Sequence, residues 1–196
     1  MQKEKTAKAK FRNNKAKRTN YKTILIIILF TFILTVLFSY IFGALMERAS
    51  LQIAFIVLFI IIAIGVLADG IGNAVVTAEE TPFHSMAAQK VKGAKESILL
   101  IRNAPSVANF FNDVIGDICG VISGTAAAAI VLQLEKGWSI SSVIFGMVMS
   151  GFVASMTVGG KAIGKGIAIT YANTIVYNLG LLSHLFGIGK MLKTKK

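Results

Sequence analysis

Five stretches of this sequence, residues 23–46, 49–68, 118–134, 137–160 and 166–189, contain no Asp, Glu, Lys or Arg. About 20 apolar residues in a helix cross the hydrocarbon core of a bilayer, and three or four of these runs are that long. A soluble domain is far more polar than a chain that is 55% hydrophobic and 15% charged. The fold class expected is therefore an all-α integral membrane protein, with about four transmembrane helices and amphipathic belt helices on the cytoplasmic side.

The charge that remains is unevenly placed. Of the formal net charge of +12, much sits in residues 1–22, which hold nine Lys/Arg against the single acid Glu4. This tail leads directly into an apolar run, with Lys15, Lys17, Arg18 and Lys22 nearest the membrane surface. Basic juxtamembrane segments are drawn to anionic lipid and held on the cytoplasmic side, so the partner implied is the bilayer and not nucleic acid. Residues 23–46 are about twice as long as the core of a signal peptide, lack a good small-residue cleavage site after them, and read as an uncleaved anchor. Cys119 has no partner for a disulfide, and His84 and His184 are too far apart in sequence for a zinc motif. No nucleophile–base pair or metal triad can be assembled, which argues against an enzyme.

Along the chain, a basic tail (1–22) and a first span (23–46) precede the main membrane domain (47–189) and a basic end (190–196). The second span runs from Leu51 through Ala68, and on to Thr77 if it passes Asp69. Residues 79–104 alternate Lys90, Lys92, Lys95 and Arg102 with Met86, Val91, Ile98, Leu99 and Ile101, which predicts an amphipathic helix or two short ones at the interface. Pro105 ends that segment. A third span covers Ser106–Leu134, Trp138 lies in the following link, and a fourth runs from Ile140 to Val158, where the glycines of "VGGKAIGKG" are expected to break it. Residues 167–188 are long enough to span but semipolar. Four spans put nearly every basic cluster on one side, which favours an interfacial helix there and both termini in the cytoplasm.

Three groups of residues carry candidate chemistry. Gly116, Gly120 and Gly124 recur at four-residue spacing, as do Gly146, Ser150 and Ala154, either as helix-packing stripes or as the ordinary glycine of membrane helices. Asp113 and Asp117 share one helical face. A charge at the centre of a span costs roughly 2.5–3.5 kcal/mol, so they read as functional or as neutralised by Lys161 or Lys165. In "TAEETPFHSM", Glu79 and Glu80 are either headgroup-level charges or oxygen ligands of the kind that suit magnesium or calcium, with Thr77 and Ser85 close by. Pro82 would free the carbonyl of Ala78 if the helix continued through it. Together with Asp117 and a helix broken at Gly159-Gly160, this set has the form of an intramembrane cation site.

The order of these elements resembles the transmembrane domain of the CNNM/CorC magnesium transporters. "TAEETPFHSM" is similar to that family's Ser-Gly-Ser-Glu-Thr-Ala stretch, with Thr77 and Glu79 at the serine positions and Glu80 at the glutamate. "QKVKGAKESILLIRNAPSVANFFNDVIGD" resembles its helix pair and the glycine-asparagine that follows, Gly116 matching the glycine and Asp117 standing at the asparagine. "GGKAIGKGIAITYANTIVYNLGLLSHLF" resembles its Gly-Glu-x-x-Pro-Lys segment and belt helix, with Gly164 and Lys165 at Pro-Lys and Lys161 at the glutamate. The resemblance covers roughly residues 51–188 and implies a homodimer in the cell membrane. It also implies a partly dehydrated magnesium held between helices, with Thr77, Glu79, Glu80 and Asp117 as oxygen ligands and Gly164 marking a carbonyl-donating segment. The CBS pair and acidic domain of full-length members do not appear in this sequence, and the basic tail and first span lie outside the family core. The function expected is divalent-cation transport. The alternative is a non-transporting scaffold or partner subunit that assembles with another membrane protein through its small-residue faces.

Overall fold

A computed structural model of the chain describes residues 21–135 and 142–186. Lys15, Lys17, Arg18, Trp138 and the C-terminal lysines lie outside these residues, as does the side chain of Lys22. Helix α1 is Tyr21–Arg48 and α2 is Leu51–Thr77; two short helices follow, α3 (Thr81–Ala88) and α4 (Ala94–Arg102). Next come α5 (Ala104–Asn109), a π-helical turn (Phe110–Ile115) and α6 (Gly116–Glu135), then α7 (Ser142–Thr170) and α8 (Ala172–Leu185). No strand occurs among the described residues. Among the described residues, four helical stretches are long and apolar enough to cross a membrane: Ile28–Met46, Leu51–Thr77, Ala104–Glu135 and Val143–Thr170. The protein is an all-α membrane protein.

Helix α2 is the axis of the bundle. It packs on α6, α7, α5, the π turn and α8, with α7 following it as far as Gly70, while α1 leans principally on α6. At one end Ala54, Leu58 and Ile62 of α2 meet Ala126, Ala127 and Ile130 of α6 and Met149 and Val153 of α7. Gln133 fastens α1 there by donating its side-chain N–H to the Met46 carbonyl at 2.7 Å. At the other end α3, α4 and α8 form a belt around the close of α2, with Phe83 (1% exposed) and Val176 in its core.

Of the two forms expected for residues 79–104, the chain takes the pair of short helices, because it turns through Lys90 (φ 58°) and Gly93 (φ 83°) between them. One expectation changes. Helix α7 does not break at Gly159-Gly160 or Gly164. It continues to Thr170, and the turn falls at Tyr171 instead. Close packing explains this: a Cβ on Gly160 would lie 2.8 Å from Val66 Cγ2, and one on Gly164 would lie 3.0 Å from Val66 Cγ1. The glycines let α7 approach α2 and are held helical by that contact. Pro82 likewise frees no carbonyl within a helix, since α2 ends at Thr77 and Pro82 opens α3. Helix α8 has 14 residues; at about 1.5 Å per residue it is too short to span, so the semipolar run belongs to the belt.

The α4–α8 crossing is closely packed, with Gly180 set against the Gly93 carbonyl and Ser97. Ser97 is fully buried, and its Oγ donates towards the Gly93 carbonyl (2.9 Å) and the Val176 carbonyl (3.2 Å). His184 Nδ1 of α8 lies 3.0 Å from Glu96 Oε1 of α4. Burial pushes the Glu96 carboxyl up, but the His184 hydrogen bond and the His184 and Lys95 charges outweigh it and hold the pKa below its ordinary 4.5. A depressed carboxyl stabilises the fold above its unfolded value and loses that contribution as pH falls through the lowered one. Acidification below 4.5 is therefore expected to lower the melting temperature of the wild type more than that of Glu96→Gln, as measured in detergent.

Candidate functional site

The last third of α2 carries its polar residues four apart, at Asp69, Asn73 and Thr77, so that each reaches the one a turn before it. Asn73 Nδ2 donates to the Asp69 carbonyl (2.7 Å) and to Asp69 Oδ2 (3.1 Å), and Thr77 Oγ1 donates to the Asn73 carbonyl (2.9 Å). Asp69 lies eight residues before the end of α2, about 12 Å inside the helix. Its charge is met by Lys161 of α7, whose Nζ is 3.5 Å from Asp69 Oδ1. The side chains are 18% and 31% exposed, so both are largely withdrawn from the surroundings of the bundle.

The π turn closes another side of this region. Gly72 of α2 has no room for a Cβ, because the Asn112 side chain fills that space. Asn112 Oδ1 is buried and accepts no hydrogen bond among the described residues. A Cβ on Gly116 would lie 3.7 Å from Lys161 Nζ, so the ammonium sits between Asp69 and the start of α6. Single π turns inside α-helices recur at functional sites. Here the Asp69 carboxylate, the Asn73 carboxamide and the Lys161 ammonium meet between spanning helices, and the Asn112 carboxamide lies against Gly72, three residues further along α2. Such hard oxygens suit a magnesium or calcium ion once the ammonium moves aside.

The residues singled out in the sequence are placed differently. Thr77 is exposed and turned back on its own helix. Glu79 is exposed, and its backbone N–H donates to Asn173 Oδ1 at 3.0 Å. Glu80 is held by Arg102 at 2.6 Å and lies 3.0 Å from His84, which ties α3 to the end of α4. Because these pairs are exposed, they add no more than about 1 kcal/mol. Asp113 and Asp117 are exposed, and neither is ion-paired among the described residues, because Lys161 is engaged with Asp69. Gly164 comes up against α2, its carbonyl 3.8 Å from where a Cβ on Gly70 would sit. Thus Gly164 lies beside the α2 segment that carries Asp69, while Glu79, Glu80 and Asp117 do not form one cluster. Among the described residues no group of three His, Cys, Asp or Glu could hold a metal.

Of the glycine stripe, Gly116 faces the Lys161 ammonium, whereas Gly120 and Gly124 would meet nothing within 4 Å. They line an open groove of about 710 Å³ between α6 and α7, with Gly146, Ser150 and Ala154 on the facing wall. The Asp69–Lys161 pair and Asn112 were not picked out from the sequence. The available signal was that Asp69 is the only charged residue between Arg48 and Glu79. Comparison with family models, curated proteins and solved structures finds no match for the chain.

Proposed function

We propose that this chain is a multi-pass protein of the cell membrane, of the divalent-cation (magnesium) transport type, with Asp69 as the carboxylate that meets the cation. The observation behind this reading is the Asp69–Lys161 pair between two spanning helices. Ionisable groups at such depth are expensive and mark ion pathways more often than they serve structure. Asn73 and Asn112 add carboxamide oxygens, and the Asn112 oxygen is buried with no donor among the described residues. A divalent cation reaching Asp69 has to displace the lysine ammonium, so the pair is the plug of the pathway. The resemblance to CNNM/CorC transporters supports magnesium as cargo, a homodimer, and both termini in the cytoplasm. Glu80 and Asp117 would then serve as approach charges, not as the ligand set.

The test is magnesium flux into vesicles containing the purified protein. Wild type should carry flux that Asp69→Ala abolishes, while Glu80→Ala and Asp117→Ala slow it without removing it. A wild type that carries none, or an Asp69→Ala variant as active as wild type, rejects the reading. A C-terminal tag should stay unlabelled by an impermeant reagent applied outside intact cells.

A second reading is a non-transporting partner subunit, and the open small-residue groove between α6 and α7 favours it. Close approach of a second helix there would need Gly120 and Gly124 to stay small. On that reading, Gly120→Leu should release a co-purifying chain and leave the melting temperature unchanged.

A further inference from the structure

Helix α3 ends in a turn that ordinarily takes glycine but here holds a lysine. The Lys90 N–H donates to the Ala87 carbonyl (3.1 Å) and the Val91 N–H to the Met86 carbonyl (3.0 Å), which closes the helix with Lys90 at φ 58°. In this closure the left-handed position is usually Gly, because a Cβ there is strained. Lys92 and Lys95 follow directly, and all three lysines are exposed. We propose that this turn, with the adjoining end of α8, binds the headgroup phosphates of anionic phospholipids.

The charge around the turn is unbalanced in the direction a phosphate needs. Glu96 is the only acid between Thr81 and Asn112, and His184 holds it at 3.0 Å. Lys90, Lys92 and Lys95 enter no ion pair among the described residues. Apolar surface beside them selects lipid over a soluble anion. Gly93 sits against the α8 backbone, since a Cβ on it would be 2.8 Å from Leu181 Cα. From that contact onward α8 exposes Leu182 (51%), Leu185 (71%) and Phe186 (75%), spaced to share one helical face. Apolar side chains next to lysines suit hydrocarbon lying beneath a layer of phosphates. The turn also lies at headgroup level. The belt takes over from α2 at Thr81 and from α7 at Ala172, where two spanning helices end. Each lysine beside a membrane raises the preference for anionic lipid roughly fivefold. The site does not depend on the transport reading.

Tryptophan fluorescence with brominated lipids tests it, because bromine quenches indole only on contact. In a Trp138→Phe background, Phe186→Trp reports beside the turn. Leu45→Trp, 56% exposed and near the other end of the bundle, reports on bulk lipid. The proteins are placed in phosphatidylcholine vesicles that contain a minor fraction of brominated phosphatidylglycerol or brominated phosphatidylcholine. Melting curves confirm that each variant folds. The preference for phosphatidylglycerol should be about fivefold or more greater at position 186 than at 45. Changing Lys90, Lys92 and Lys95 together to glutamine should remove most of that excess. Residues 1–22 are the same in every protein, so the loss belongs to the turn. Lys90→Gly should also cut the preference, yet raise the melting temperature in detergent by about 2–4 °C, because it relieves the left-handed lysine. Excess inorganic phosphate should leave the quenching unchanged. Equal preference at the two positions, or an excess that survives the triple change, overturns the site. Quenching abolished by inorganic phosphate overturns the lipid as its occupant, and a Lys90→Gly protein with the full preference overturns the role given to Lys90.

Discussion

Replacing Lys161 with methionine is expected to destabilise the protein by about 3 kcal/mol, since it strands the Asp69 carboxylate among apolar helices. The pair is held at 3.5 Å with only 18% and 31% of its side chains exposed, so water can do little to compensate the orphaned charge. Replacing both partners, Asp69→Leu with Lys161→Met, should restore most of that loss and bring stability within about 1 kcal/mol of wild type. Thermal unfolding in detergent reads both outcomes. A double variant as unstable as the single one would show that the Asp69 carboxylate matters to the fold through Asn73 and not through Lys161. The same variants separate folding from transport: the double variant should be stable and carry no flux. That combination would assign the cost of a charged site between spanning helices to function.

Gly180→Val is expected to be the most damaging change in the belt. A Cβ there would lie 2.6 Å from the Gly93 carbonyl oxygen and 2.9 Å from the Ser97 amide nitrogen, and would collide with Ser97 Oγ. These obstacles are mostly backbone, so no rotamer change relieves them. Gly93 cannot shift freely either, because it holds φ 83° and its own Cα faces Leu181. A loss of about 3 kcal/mol or more is expected, accompanied by protease cleavage in the turn around Lys90. Ser97→Ala, which removes the buried hydroxyl but adds no bulk, should cost about 1–2 kcal/mol. Gly120→Val is the matched control, since a Cβ at that position meets nothing within 4 Å. Its melting temperature should equal that of wild type.

The spans were legible because a bilayer imposes a length and a polarity that uncharged runs display directly. Where the reading failed, it failed for reasons of packing. The glycines around Gly160 look like a helix break when read singly. Against Val66 they are what allows two helices to touch. The candidate site was legible only in part. Glu79 and Glu80 drew attention by adjacency, yet Arg102 lies within reach of Glu80 once α4 folds back, and that contact spans 22 residues of sequence. Asp69 gave a fainter signal, one charge in an apolar run. Its partner on α7 could be found only from the arrangement of helices.

The way α1 is attached has a consequence for how the protein is made. Helix α1 leaves the ribosome well before the helix it chiefly packs against, α6, which ends only at Glu135. At ordinary rates of synthesis the interval is on the order of 5–15 s. Throughout it α1 has to remain in the bilayer without its protein neighbour. Its all-round Ile, Leu and Phe surface suits that wait, because lipid can cover every side until α6 arrives.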